Sequence, residues 1–534
     1  MPPERPNILW VSFEDTNPYY GCSGDPVVKT PNLDRLAAEG CRWPNTFSTC
    51  GVCAPARSAI ITGVYCTSAG THQMRTTHGN KYTPEMPTPY SAVVPHYVKC
   101  FTEYLRAAGY YCTNCTKTDY QFAAPFTAWD ELSETAHWRN RPDPDQPFFA
   151  VFNLGKTHES GMWPEKCPEV TVDPDAITVP PYFPDTPKVR AAMARMYTNI
   201  EYNDTLLGEY LQQLEEDGLA ANTIVFNWSD HGPMPRGKRW PYDSGIHVPM
   251  IARWPGRITP GHVSDQLLST IDLGPTMLSL AEIDIPWHMQ GQAFLGDQAA
   301  EPREYVFASR DRHDESYDMV RAARDKRFKY IRNYRPDLPY LLWIPYRNRH
   351  PIVQEMWRLY MAGKLEGPQL LMFQDHRPVE ELYDTLNDPF EVNNLADHPA
   401  FGPELQRLRD ALDDWREAVG DMGEIDESEM VRQWYPNGEQ PQTAPVVFIP
   451  ITAEQPGTDA APEGGEFTAP CLLQMHCATQ GASIGYTLEE GEDAHWELYH
   501  GPLRLEAGTY RIRAKAIRIG YQESEERAAT FRVT

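Results

Sequence analysis

Asn7-Ile-Leu-Trp-Val-Ser-Phe13 is a short apolar run that closes on Glu14-Asp15. A run of this kind, without polar alternation, fits a strand covered on both faces at the centre of a parallel sheet. Its two carboxylates then fall at the carboxyl end, where open α/β sheets bind ligands. A lone pair of that kind would read as a turn or a helix cap, but the pattern recurs. Tyr110-Tyr-Cys-Thr-Asn114 leads to Lys117, Pro147-Phe-Phe-Ala-Val-Phe-Asn-Leu154 leads to His158, and Thr223-Ile-Val-Phe-Asn-Trp-Ser229 leads to Asp230-His231-Gly232. Helices are expected between them: Thr30 to Gly40 with Pro31 at the first helical position, 54–62, 99–108 and 188–216. Strands alternating with helices, each strand ending in polar residues able to do chemistry, predict an α/β fold.

The bulk properties set outer bounds. A chain of 534 residues exceeds one hydrophobic core and predicts two to four domains. A formal charge of −26 argues against duplex nucleic acid or an anionic membrane as the main partner. No apolar run approaches the ~18 to 20 residues that span a bilayer. The first residues lack an apolar signal core, so the expected compartment is cytoplasmic, or periplasmic or secreted if a leader has been removed. Eleven cysteines cannot all pair within the chain; Cys471 and Cys477 are a disulfide or two buried thiols, with thiols the expectation. Oligomeric state is not legible.

The pattern divides the chain into an α/β domain over 1–300, a smaller α+β subdomain over 301–420, an acidic then Gln- and Pro-rich linker over 421–445, and an all-β sandwich over 446–534. In the sandwich, Thr509-Tyr-Arg-Ile-Arg-Ala-Lys-Ala516 alternates basic residues outward with Tyr510, Ile512, Ala514 and Ala516 inward, and the slip at Ile517 predicts a β-bulge.

Gly51-Val-Cys-Ala-Pro-Ala-Arg-Ser-Ala-Ile-Ile-Thr-Gly63 carries the order Cys53-x-Pro55-x-Arg57. This resembles the signature of the type I sulfatases of the alkaline-phosphatase-like superfamily, whose cysteine is oxidised to formylglycine. The run Thr30-Pro-Asn-Leu-Asp-Arg-Leu-Ala-Ala-Glu-Gly40 and the stretch Glu381-Leu-Tyr-Asp-Thr-Leu-Asn-Asp-Pro-Phe-Glu-Val-Asn-Asn-Leu395 also match that family. The resemblance implies an alkaline-phosphatase-like mixed sheet flanked by helices, and covalent hydrolysis of a sulfate ester. Glu14, Asp15, Asp230 and His231, with residue 53, would hold one divalent cation. Arg57 would hold the formylglycine hydrate, Lys117 and Lys238 the sulfate oxygens, and His158 would protonate the leaving group. A local cluster of such cations focuses positive potential in a cleft while the remaining surface stays acidic.

Three positions depart from the family pattern. Glu14-Asp15 replaces Asp-Asp and Asp230-His231 replaces Asp-Asn. Carboxylates suit Ca²⁺, the expected ion, while a histidine ligand makes Mn²⁺ the alternative. Asp119 stands where many members have a histidine and is expected to orient Lys117 or touch substrate.

Val179-Pro-Pro-Tyr-Phe-Pro-Asp-Thr-Pro187 and the run from Ala191 to Tyr197 resemble the heparan N-sulfatase (sulfamidase) branch, and the carboxyl end resembles the chitobiase-like β-sandwich. The implied substrate is a sulfated carbohydrate, carried as an O-sulfate or a sulfamate of a glycosaminoglycan-like or plant or algal polysaccharide fragment. His72, Arg75, Asp119 and His313 are the candidate sugar contacts. A formylglycine-generating or sulfatase-maturating enzyme is the implied partner. Two other readings stay open: a phosphonate monoester hydrolase or phosphodiesterase of the same fold, and an inactive glycan-binding homologue.

Overall fold

The computed structural model describes residues 5–534. Its largest sheet runs, in spatial order, Glu131–Leu132, Tyr111–Cys115, Phe148–Leu154, Asn7–Phe13, Thr223–Trp228, Met250–Arg253, Cys41–Arg42 and His262–Val263. The first five are parallel to one another, and Met250–Arg253 joins antiparallel. Asn7–Phe13 lies between Phe148–Leu154 and Thr223–Trp228, with Trp10 level with Val151 and Phe226.

The two-residue period of the strand divides its side chains between two cores. Leu9, Val11 and Phe13 pack with the helix Pro187–Glu216, while Ile8 and Trp10 pack with Phe101, Phe149 and Trp228 on the other face. That double burial is why the strand reads as a continuous apolar run.

Residues 301–420 build a second sheet, antiparallel, in the order Val306–Arg310, Val320–Arg324, Phe328–Asn333, Glu380–Asp384. Leu408, Leu412 and Trp415 of the helix Gly402–Val419 cover it against Phe328, Tyr330 and Leu382. The carboxyl end is a sandwich of a three-stranded and a five-stranded sheet, closed over Phe448, Leu473, Ile512, Ala514 and Phe531. Cys471 and Cys477 share one strand, and both are free thiols.

Two expectations need correction. Residues 421–445 are not a plain linker: Glu427–Trp434 is helical, and the buried Glu427 carboxylate takes Arg312 through Nε and Nη2, both at 2.7 Å, with Tyr90 and Tyr317 at 2.6 and 2.8 Å. No bulge breaks the strand at Ile517, because Gly508–Ile517 keeps one register with Ser483–Thr487 to its last residue. The side-chain pattern slips there because the chain leaves the sandwich. Ile519 enters the core around Trp10 instead.

Candidate active site

The polar residues of the central strands converge at one end of the large sheet. Glu14 and Asp15 follow Asn7–Phe13, Lys117 follows Tyr111–Cys115, His158 follows Phe148–Leu154, and Asp230 and His231 follow Thr223–Trp228. Parallel neighbours put these ends side by side. Facing them is the helix Cys53–Thr62, buried throughout, with Cys53 at its first turn.

Around Cys53 the donors are close. Its Sγ lies 3.1 Å from His231 Nε2 and 3.9 Å from both Glu14 Oε1 and Asp15 Oδ1. His231 Nδ1 donates to the Gly232 carbonyl at 2.9 Å, which turns Nε2 to Cys53 and to Asp15 Oδ1 at 3.2 Å. Asp15 holds a left-handed backbone (φ 49°), and its amide donates to Asp230 Oδ1 at 3.1 Å. Side chains of Asp15, Cys53, Asp230 and His231 place four donor atoms within 4.8 Å of one another, and Glu14, Asp15, Cys53 and His158 form an overlapping group. Three carboxylates and one imidazole suit a divalent cation, so Glu14, Asp15, Asp230 and His231 are the residues that could hold one.

Cations ring this acidic centre. Arg57 Nε donates to Asp230 Oδ2 at 2.9 Å, and its Nη1 to Asn153 Oδ1 at 2.9 Å. Lys117 is paired with Glu14 and lies 3.6 Å from Asp119. Lys238 is paired with Asp15 and lies 3.2 Å from Glu159 and 3.4 Å from His158 Nε2. Burial works against the charges of Asp15 and Asp230, yet Lys238 and His231 on the first, and Arg57 and His231 on the second, hold both below the usual carboxylate range. Burial pushes the Cys53 thiol up, against the pull of Lys117 and Lys238. For His158, burial and Lys238 act downward, but Asp15, Cys53 and Glu14 leave it above the ordinary histidine value.

A cleft of about 610 Å³ opens above Cys53, walled by Arg75, Lys117, Asp119, His158, Lys238 and Tyr346 among others. Of the residues expected at sugar contacts, Arg75 and Asp119 stand in this wall. His72 and His313 do not. They are 1% and 0% exposed, in the polar interior beside Asp311 and among Arg310, Arg239 and Arg312, and neither offers a ring nitrogen to the cleft.

Other residues complete the site without having been singled out. Asn153 Oδ1 receives Arg57, and Asn153 Nδ2 donates to Asn114 Oδ1 at 2.8 Å. An asparagine near the end of an otherwise apolar strand was the available signal. Glu159 takes both Nη groups of Arg239, at 3.1 and 2.7 Å, and its amide donates to Asp15 Oδ2 at 2.7 Å. Gln440, beyond the expected catalytic core, also lines the cleft, and only the tertiary structure brings it there.

Comparison with known proteins identifies the family. The sulfatase family model matches residues 6–131 and 111–283, and a model described as N-sulphoglucosamine sulphohydrolase, C-terminal, matches residues 231–363. An ulvan-active sulfatase of Formosa agariphila is 43% identical over 98% of this chain and 91% of its own length. Human N-sulphoglucosamine sulphohydrolase is 28% identical over 77% of this chain and 89% of its own length. The phosphonate monoester hydrolase of Agrobacterium radiobacter shares the fold, with a TM-score of 0.57 at 18% identity, covering 78% of this chain and 96% of that one.

Proposed function

The chain belongs to the sulfatase family and is a sulfuric ester hydrolase of sulfated carbohydrates, and on that footing we propose that it removes sulfate esters from fragments of the polysaccharide ulvan, with residue 53 acting after conversion from cysteine to formylglycine. The observation that carries this reading is the convergence on Cys53 of the Glu14, Asp15, Asp230 and His231 donors from one side and the Lys117, His158 and Lys238 side chains from the cleft side. The relative at 43% identity, matched almost end to end, supports the choice of ulvan.

Formylglycine would supply a hydroxyl nucleophile for sulfur, and a Ca²⁺ ion held by Glu14, Asp15, Asp230 and His231 would polarise it. The other roles fall to the chain itself. Lys117 and Lys238 stand where the sulfuryl oxygens gain charge, preorganised by their carboxylate partners. His158, with Nδ1 at 2.9 Å from Ser160 Oγ, points Nε2 into the site and carries the proton for the departing oxygen. Arg57 fixes Asp230 and the start of the Cys53 helix. Asp119 orients Lys117.

A second reading is favoured by one observation: the match of residues 231–363 to the sulphoglucosamine sulphohydrolase model supports a sulfamate as the bond cleaved. Free sulfate, measured by ion chromatography after incubation of the formylglycine form with ulvan fragments and with N-sulfated glucosamine, separates the two. Sulfate from ulvan alone establishes the ester reading. Sulfate from the N-sulfated sugar alone replaces it, and a phosphonate ester turned over in preference to both would reassign the chemistry.

A further inference from the structure

The cleft over Cys53 continues into two more hollows. Arg75, His78 and Tyr346 wall both the cleft and a neighbouring cavity of about 320 Å³. Arg349 is shared in turn by that cavity and a third, of about 640 Å³, floored by Trp163 and Arg195. Ring contacts mark the path: His158 lies 6.2 Å from Tyr346, Tyr346 5.3 Å from Trp163, and the Arg349 guanidinium stands 4.3 Å over the Trp163 ring.

The charge in the third hollow is unbalanced. Arg195 is only 9% exposed, and its Nε donates to the Met162 carbonyl at 2.6 Å. Among the described residues no carboxylate lies within 4.0 Å of its guanidinium, nor of Arg349. Lys188 has a partner at 3.6 Å, Glu355, and the exposed Glu165 is the lone carboxylate lining the hollow. A buried cation without a counter-charge is costly in the free protein and becomes favourable when a ligand brings the opposite charge. A guanidinium suits a flat oxyanion, which it can grip with two parallel hydrogen bonds.

We propose that the hollow around Arg195 and Arg349 is a second anion-binding subsite, taking a carboxylate or sulfate on another unit of the same glycan chain whose sulfate ester sits over Cys53. This rests on the carbohydrate-sulfatase reading and adds chain length and charge spacing to it. The enzyme then prefers an oligosaccharide to a single sulfated sugar, and the preference resides in Arg195 and Arg349, outside the reacting centre.

The test is direct binding by calorimetry to the Cys53→Ala protein, which has no nucleophile at residue 53, using ulvan oligosaccharides of two and six sugar units. The longer chain should bind at least tenfold tighter. Arg195→Met and the fully surface change Arg349→Ala should each remove most of that gain while leaving the two-unit affinity within twofold. Carboxyl reduction or desulfation of the longer chain identifies which oxyanion is read, and survival of the gain after both treatments would overturn the subsite. So would equal affinity for the two lengths, no binding of either, or a gain retained in both variants. Sulfate release by the unsubstituted formylglycine enzyme is scored separately. Its absence beside intact length-dependent binding would remove the ulvan reading alone.

Discussion

His231 Nε2 stands 3.1 Å from Cys53 Sγ, in the tautomer fixed by the Gly232 carbonyl. The imidazole contacts residue 53 directly, and in the proposed reading it is one of the metal ligands. An amide there would be a harder oxygen donor. His231→Asn is expected to shift bound metal towards Ca²⁺ and away from Mn²⁺, read by elemental analysis after equilibration with an equal mixture of the two ions. An unchanged Ca²⁺ to Mn²⁺ ratio would show that the imidazole is no ligand.

Lys238 is 2% exposed and held between Asp15 and Glu159. Its charge is in place before substrate arrives, so removing it should act on the transition state more than on binding. Lys238→Ala is expected to lower kcat by about 10² to 10³, with a smaller change in KM. A change confined to KM would make it a binding residue only.

In the proposed mechanism His158 donates to a leaving oxygen, so its contribution depends on how poor that leaving group is. His158→Asn should slow an alkyl sulfate by about 10² to 10⁴ and a nitrophenyl sulfate, whose leaving group needs no proton, far less. Equal losses on both substrates would assign His158 a structural part.

His350 caps the helix Pro351–Met361 by accepting the Ile352 amide at Nδ1, 3.2 Å away, and it is 1% exposed. Burial, aided by Arg239 and Lys238, pushes its pKa down to about 4. A histidine depressed in the folded state binds fewer protons than in the unfolded chain, so its stability contribution is complete above the unfolded value near 6.5 and is lost as pH falls towards 4. The loss across that window is about 3 kcal/mol. Protonation at Nδ1 also removes the cap. His350→Asn, which keeps a capping oxygen, should flatten the unfolding midpoint between pH 6.5 and 4 relative to the unsubstituted chain.

Glu427 and Arg312 are both 1% exposed at the side chain. Glu427→Ala leaves a guanidinium buried and unpaired, at an expected cost of about 3 to 5 kcal/mol. The double change Glu427→Leu with Arg312→Met should recover most of it in denaturant unfolding.

Much of the candidate site was legible as a cluster because its residues lie just after apolar strands: Glu14, Asp15, Lys117, His158, Asp230 and His231 each follow a run whose burial the sequence declares. The Cys53 motif was legible as local order. What escaped depends on partners far along the chain. Nothing near His72 or His313 tells whether a histidine in a polar segment faces a cleft or the interior; their neighbours Asp311, Arg310 and Arg239 lie far along the chain from one or both of them. The acidic composition of 421–445 concealed a helix because Glu427 has its counter-charge 115 residues away. The slip at Ile517 was real in pattern but marked a change of neighbour, from sandwich to sheet, rather than a change of backbone.

The insertion of Ile519 into the core around Trp10 bears on how such a gene can be rearranged. The next residue, Gly520, lies so close to Ala92 that an added Cβ would meet its carbonyl oxygen at 2.4 Å, and Lys99 donates to Gly481 and Ser483 of the sandwich at 2.6 and 2.8 Å. The sandwich is thus not an interchangeable cassette. A recombinant that exchanged it for an unrelated module would lose a plug from the core around Trp10 along with the appendage.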